Sequence, residues 1–340
     1  VFMNRIGFFA ALLLAVSAQA GDGTIVIKGA SVAPAGTPWA KWTKKVSKRV
    51  VKQAKAAGLK VKYKFYLSGR LGGEKETVEE CRLGRLPVTG VSMGAIATAV
   101  PSFNVFELPF LFRSDAEADH ILDDIAFETM SKLLKKAGFV LLSVTENGWH
   151  GMGTQGSPIL TASDFKGRKL RVQQSRVHLE TFKALGASPV EMGVPEVLSA
   201  LQNKVVDGFT NTPLFSFATN WYRAIQHYSI TRHIYQPAVL VASKKWFDKQ
   251  PKALQKILLD PKDRLKETKL SLRWIRALNG PLLAQFEANQ IKVHHPSAAE
   301  IAKMGAATKV VHAKFRKFGG KDGAMLLDII EKGLKAYRSK

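Results

Sequence analysis

The sequence predicts an α/β protein built on mainly parallel, doubly wound sheets. Three observations carry that expectation. Short runs in which apolar and polar residues alternate take turns, along the whole chain, with longer runs in which apolar residues recur at helical spacing. Gly58, Gly138 and Gly186 stand where helical runs stop. The chain has 340 residues, no internal repeat and no low-complexity linker, enough for two lobes that each bury a core without staples. Repeated β-α units place helices on both faces of a sheet. Two lobes without a flexible linker imply chain crossovers and a cleft at their junction.

The elements follow in order. Met3-Asn4-Arg5 is a short basic start, residues 6–16 are apolar with Gly7 the sole interruption, and Ala18-Gln19-Ala20 is small-x-small. That is the pattern of a secretory signal, too short for a comfortable membrane span, and cleavage is expected after Ala20. Thr37 caps a helix, Pro38 suits its first turn and Gly58 ends it. Trp39, Trp42, Val46, Val50, Ala54 and Ala57 form the apolar stripe of that helix, and Lys41, Lys44, Lys45, Lys48, Lys52 and Lys55 lie on the remaining faces. Leu59, Val61, Tyr63, Phe65 and Leu67 then alternate with Lys60, Lys62, Lys64 and Tyr66, as in a strand with one wet face.

A loop over residues 68–73 leads to a helix carrying Cys81, the one cysteine, read as a buried small hydrophobe. A strand near residues 86–92 and a turn-rich stretch come next. Ser114 with Glu117 makes a capping box for a helix ending at Gly138, and residues 139–145 are an apolar strand. Beyond Gly148 come a strand at Lys169–Val172, a helix over residues 175–185, a second helix over residues 195–203 and a strand ending near Asp207-Gly208. Further strands within residues 228–243 precede helices over residues 251–289, broken at Pro261 and Pro281. A strand at residues 291–295 and two terminal helices close the chain.

The formal charge of +24 calls for an anionic partner or ligand, but export makes nucleic acid a poor one. The lysine run of the first helix reads as a solvated face. No run after the signal reaches the roughly twenty apolar residues of a spanning helix, and no cysteine follows the signal for lipid attachment. Enzymatic and cofactor motifs are scarce. There is no phosphate loop, no Gly-x-Ser-x-Gly elbow and no His-Glu-x-x-His zinc helix. His294-His295 on a strand point to opposite faces and make a poor metal site. Gly69-x-x-Gly72-Gly73 lacks the lysine that a phosphate loop requires. No cofactor and no metal are expected.

Several segments, in order, resemble one family. Ser68-Gly69-Arg70-Leu71-Gly72-Gly73-Glu74 with Glu79 and Gly84 is similar to the first-lobe motif of the binding proteins of TRAP (tripartite ATP-independent periplasmic) transporters, the DctP-like family. Leu108-Pro109-Phe110-Leu111-Phe112-Arg113 resembles their Leu-Pro-Phe-Leu-Phe segment. Residues 164–172 resemble the stretch holding their carboxylate-binding arginine. Residues 184–190, Glu196-Val197, Ala200-Leu201-Gln202 and residues 206–211 follow in the family's order. The resemblance runs from about residue 21 to about residue 259 and fades toward the C-terminus.

It implies a two-lobed periplasmic binding protein with crossing hinge strands and a long connecting helix, closing on a small organic anion. It also implies a membrane permease pair as partner, an ion gradient as energy source, a periplasmic location and no enzymatic activity. The expected division is a signal at 1–20, a first lobe of 21–148 with 237–276, and a second of 149–236 with 277–340.

Site candidates follow from the motifs. Arg171 matches the carboxylate-binding arginine, and its planar fork suits two parallel hydrogen bonds; the alternative is a surface arginine beside Arg168 and Lys169. Asn211 matches a ligand-reaching asparagine or else forms a turn. Gln173 shares the face of Arg171. Ser92 either donates to the ligand or caps the next helix. Trp149 and His150 stand where the family has an aromatic residue and an arginine; Trp149 is a cleft wall or a core residue. Phe215 and Tyr235 extend such a wall, and Trp39 lies in the helix core or at the pocket edge. His150, Gly156-Ser157 and Thr210 depart from the family pattern. With Arg171 the one fixed cation, a monocarboxylate with an apolar or aromatic portion is expected ahead of a dicarboxylate. The alternatives are a protein for a hydrophobic or lipid-like ligand and a ligand-sensing interaction module.

Overall fold

A computed structural model describes residues 23–339; the expected signal segment lies outside the described residues. The first sheet contains β1 (Ile25–Ala30), β2 (Val61–Tyr66), β3 (Val88–Ser92), β4 (Phe139–Trp149) and, from later in the chain, β10 (Tyr235–Ser243), in the order β2-β1-β3-β10-β4. The second contains β5 (Gly151–Thr154), β6 (Lys169–Val172), β7 (Ser188–Glu191), β8 (Gly208–Asn211), β9 (His227–Ser229) and β11 (Lys292–His294), in the order β11-β9-β5-β8-β6-β7.

The mainly parallel α/β class expected from the alternation is what the chain adopts. β1 pairs in parallel with β2 and β3, β6 with β7 and β8, and β9 with β11. Every antiparallel pairing involves β5 or β10. These two strands stand just past the points where the chain passes from one sheet to the other. β4 runs directly into β5, and β9 returns through residues 230–234 into β10. β4 and β10 lie antiparallel side by side, from Tyr235 opposite Trp149 to Ser243 opposite Phe139.

A long helix braces this crossing. Helix Pro261–Arg276 opens with Pro261 in its first turn and Asp260 accepting from the Lys262 and Asp263 amides. It lies against β4 through hydroxyl pairs, Ser143 with Thr268 at 3.1 Å and Thr145 with Ser271 at 2.6 Å. Trp42 on helix Pro38–Ala56 donates its indole N–H to the Glu267 carbonyl at 3.0 Å. The next helix, Asn279–Ala288, buries Leu282 and Phe286 with Phe209, Trp221 and Tyr228 of the second sheet's core. The break expected at Pro281 falls at residues 277–278, because the proline settles in the first turn of the new helix, where its missing N–H is harmless.

Two expectations are refined. The helix foreseen from Ser114 to Gly138 is three segments, Asp115–Asp119, a wide π-type turn His120–Ile125 and Phe127–Lys136. The wide turn keeps Ile121 and Leu122 in the core. The terminal helix Gly320–Arg338, expected with the second lobe, buries Leu326, Leu327, Ile330 and Leu334 among Phe103, Phe106 and Ile121, beside the first sheet.

Cys81 is fully buried in helix Glu74–Leu83, and burial pushes its thiol well above the ordinary cysteine range. It should therefore resist a thiol reagent in the native protein and react fully in denaturant. Native labelling at the unfolded rate would show that this helix is not packed as described.

Candidate functional site

Parallel strands present a crevice at their carboxyl ends, and both sheets turn those ends toward one cleft. Ser31 just beyond β1, Ser92 at the end of β3, Gln173 just beyond β6 and Asn211 at the end of β8 all line it. The crossing strands form its floor with Thr145, Asn147 and Gln236. The helix that starts at Pro38 contributes Trp39 and Thr43, and Phe215 closes the far wall. The walls enclose about 600 Å³, the open mouth included. Of the nine sequence candidates, Arg171, Asn211, Gln173, Ser92, Phe215 and Trp39 meet here.

Arg171 is 2% exposed. Its Nε and Nη2 donate to the Met192 carbonyl at 3.1 and 2.8 Å, and its guanidinium stacks on Trp221 with 5.1 Å to the ring centre. Burial pulls its pKa down to about 10, against the upward pull of Glu74 and Glu196. The group thus stays charged at neutral pH. Among the described residues its hydrogen bonds go to a neutral carbonyl and to no carboxylate. A buried cation held in this way lacks a hydrogen-bonded counter-charge among the described residues.

A chain of amides crosses the cleft beside it. Asn147 Nδ2 donates to Gln236 Oε1 at 2.7 Å, Gln236 Nε2 to Gln173 Oε1 at 2.8 Å, and Gln173 Nε2 to Ser92 Oγ at 2.5 Å. Ser92 in turn donates its hydroxyl and its backbone N–H to Glu74, at 3.1 and 2.7 Å. Ser92 Oγ also accepts from the Ala95 amide, so it caps the next helix, while its one hydroxyl proton goes to Glu74. Burial raises the pKa of Glu74, opposed by its bonds to Ser92. Asn211 Oδ1 accepts from the Thr212 amide at 2.7 Å, which leaves its NH₂ as the donor for the cleft. Trp39 packs on Phe215 at 5.8 Å and Phe215 on Trp221 at 5.6 Å, so the aromatic wall runs back beneath Arg171.

Three candidates lie outside the lining. Tyr235 precedes Gln236 on β10, and neighbours on a strand face opposite ways; with Gln236 in the cleft, Tyr235 points away and donates to Glu146. Trp149 is its register partner and packs on it at 5.1 Å, with its indole N–H on Asp115 at 2.6 Å. His150 is buried behind the floor, where Nδ1 lies 2.9 Å from Thr210 Oγ1 and Thr210 lies 2.9 Å from His233 Nε2. Burial first, then the fields of His178, His233 and Arg171, hold its pKa well below the ordinary histidine range. At neutral pH His150 is therefore a neutral imidazole and adds no second cation.

Sequence reading did not single out Glu74, Asn147 and Gln236 as site residues. The signal for Gln236 was present: a lone amide in a strand otherwise apolar on both faces must find partners.

Comparison with known proteins agrees with this architecture. The family described as bacterial extracellular solute-binding protein, family 7 (DctP), matches residues 29–317. A solute-binding protein of Verminephrobacter eiseniae is 32% identical over 61% of this chain, which spans about three fifths of that relative (62%). The C4-dicarboxylate-binding periplasmic protein DctP of Rhodobacter capsulatus is 32% identical over 71% of this chain and 72% of its own. The sugar acid binding protein DctPAm of Advenella mimigardefordensis, solved with galactonate, superposes with a TM-score of 0.84 at 27% identity, over 91% of this chain and 99% of its own. A match that runs through both sheets and through the strands joining them leaves one assignment: the chain belongs to family 7 of the bacterial extracellular solute-binding proteins, the DctP family.

Proposed function

We propose that this protein is the periplasmic solute-binding subunit of a TRAP transporter, not an enzyme, and that it captures a hydroxylated monocarboxylate of the sugar-acid class and delivers it to a membrane permease. The carrying observation is the charge of the cleft. Its charged lining residues are one cation, Arg171, and one anion, Glu74; most other polar lining groups are amides and hydroxyls. Arg171 pairs the ligand carboxylate, and the N–H groups not held by Met192 supply the bonds. Glu74, Gln173, Gln236 and Asn211 exchange hydrogen bonds with hydroxyls.

A second carboxylate in this cleft would face Glu74 without a buried counter-charge, an arrangement penalised by several kcal/mol, on the order of an unpaired buried ion. The apolar portion expected of the ligand shrinks once Trp149 and Tyr235 are outside the lining. What Trp39 and Phe215 offer is one wall for the C–H face of a polyol. The galactonate held by the Advenella protein has this chemistry, whereas the ligand class of the Rhodobacter protein has two carboxylates. We assign residues 21–148 with 237–276 to one lobe and 149–236 with 277–319 to the other; helix Gly320–Arg338 packs in the core beside the first sheet and goes with the first lobe. The Gln173–Ser92 bond, between groups on the two sheets, is then one that opening must break. A hydrophobic or lipid-like ligand fits poorly, because burying it would strand these amides.

Three outcomes are expected. Galactonate at about a hundredfold excess over its dissociation constant should add roughly 2.7 kcal/mol of stability in thermal unfolding and be recovered unchanged. Turnover of the acid without stabilisation would overturn the reading. Arg171→Ala should weaken binding by about 2–5 kcal/mol in calorimetry, and Arg171→Lys nearly as much, because the charge survives but the fork does not. Unchanged affinity in either folded variant would remove Arg171 from the site. Galactonate should bind more tightly than succinate, and Glu74→Gln should narrow that gap by relieving like-charge repulsion. Tighter succinate binding by the unaltered protein would sink the monocarboxylate assignment.

A further inference from the structure

Residues 23–73 contain twelve lysines and arginines and no aspartate or glutamate. Folding sorts them. On helix Pro38–Ala56 the side chains Trp39, Trp42, Val46, Val50 and Ala54 are buried. Lys41, Lys44, Lys48, Lys52 and Lys55 are exposed and follow one another at spacings of three or four residues, which makes a single outward row. At 1.5 Å per residue the row is roughly 21 Å long. Like charges at that spacing destabilise a helix, so the row does not serve the fold.

The carboxylates nearby are engaged elsewhere. Asp263 and Glu267, on the helix packed against this one, turn onto Arg49 at 3.4 and 2.7 Å, and Asp260 caps its own helix. Among the described residues, Arg49 is the member of the basic helix that forms ion pairs. The adjoining edge strand β2 adds exposed Lys62 and Lys64. The result is a basic face whose lysines, among the described residues, pair with no carboxylate.

We infer that this face is a landing surface for an anionic lipid bilayer. The chemistry of the row selects that partner. Lysine is a mobile point charge without the fork that reads a fixed carboxylate or phosphate geometry, and it is depleted from protein–protein interfaces. Single-stranded nucleic acid requires aromatic platforms, and both tryptophans of this helix face inward. A fluid layer of anionic headgroups needs neither fixed geometry nor apolar anchors, and each lysine near it adds independently to the attraction. Trp39 and Thr43, which line the cleft, are on the buried side of the same helix, so landing leaves the cleft walls untouched. The inference does not depend on which solute the cleft holds.

The test is co-sedimentation with vesicles of mixed phosphatidylglycerol and phosphatidylcholine, against phosphatidylcholine alone. The protein should bind the anionic vesicles only, and less as salt rises. Replacing Lys44, Lys48, Lys52 and Lys55 together by Glu should weaken binding at least about tenfold. A matched set on the C-terminal helices, Lys309, Lys317, Lys332 and Lys335 to Glu, removes the same net charge and should weaken it less than about threefold. Should the first set fail to fold, Lys→Gln at the same four positions replaces it, with galactonate binding as the control for the cleft. Equal losses in the two sets would show that net charge alone is responsible and overturn the assignment of the face. So would absence of vesicle binding by the unaltered protein at low salt, including the case in which the row binds only an acidic protein.

Discussion

Because Tyr235 is held opposite Trp149 and Ser243 opposite Phe139, the two segments that travel between the sheets are hydrogen-bonded to each other along most of their length. Neither can shift alone without breaking the ladder, and the helix Pro261–Arg276 holds it through the Ser143–Thr268 and Thr145–Ser271 hydroxyls. The cleft floor is cut from this same ladder: Thr145 and Asn147 come from one strand, Gln236 and Ala238 from the other. The ladder thus fixes the shape of the floor, over which the walls would swing in the proposed closure.

Charge is placed on the same logic. Arg171 lies deep on β6, where water cannot solvate it, and its support is a carbonyl lone pair and the face of Trp221. Neither neutralises it. Arg276 shows the contrast: it also belongs to the junction, but Asp119 and Glu146 hold it in bidentate fashion, with carboxylate contacts down to 2.6 Å. One arginine closes a structural network; the other, among the described residues, forms no ion pair. The difference lies in the partner and not in the residue type.

A second polar seam runs behind the cleft. Asn104 Oδ1 accepts from Ser175 Oγ and the Val177 amide, capping helix Arg176–Ala184 from a segment that follows the first sheet's β3. Beside it His178 Nε2 lies 2.6 Å from Glu107 Oε2, both fully buried. His150, Thr210, His233 and Thr231 continue the seam with contacts of 2.6–2.9 Å. Buried polar contacts of this kind specify one relative arrangement of the elements that carry them, because any sliding would strand a donor or acceptor.

Much of this was legible in the sequence. Alternation placed Arg171 and Gln173 on one face, Thr37, Pro38 and Gly58 bounded the first helix, and the unbroken alternation of element types required two sheets with crossovers. These are local properties, set by backbone geometry and side-chain period within a few residues. The sequence also exposed its own ambiguities: Ser92 caps a helix and lies in the cleft lining, and Trp39 is both core residue and pocket edge. What it did not contain was the facing of β4 and β10. Both strands carry apolar residues on each face, so alternation does not say which face turns to the cleft; Gln236 had to find partners, but nothing local placed them there and Tyr235 behind it. The same holds for Glu74, whose meeting with Ser92 and Gln173 joins three segments far apart in the chain. Period determined the fold class by itself, whereas Arg171 led the site candidates only through the resemblance of its segment to a family motif. Register across the crossing, which only the packed sheets impose, decided which neighbours that arginine has.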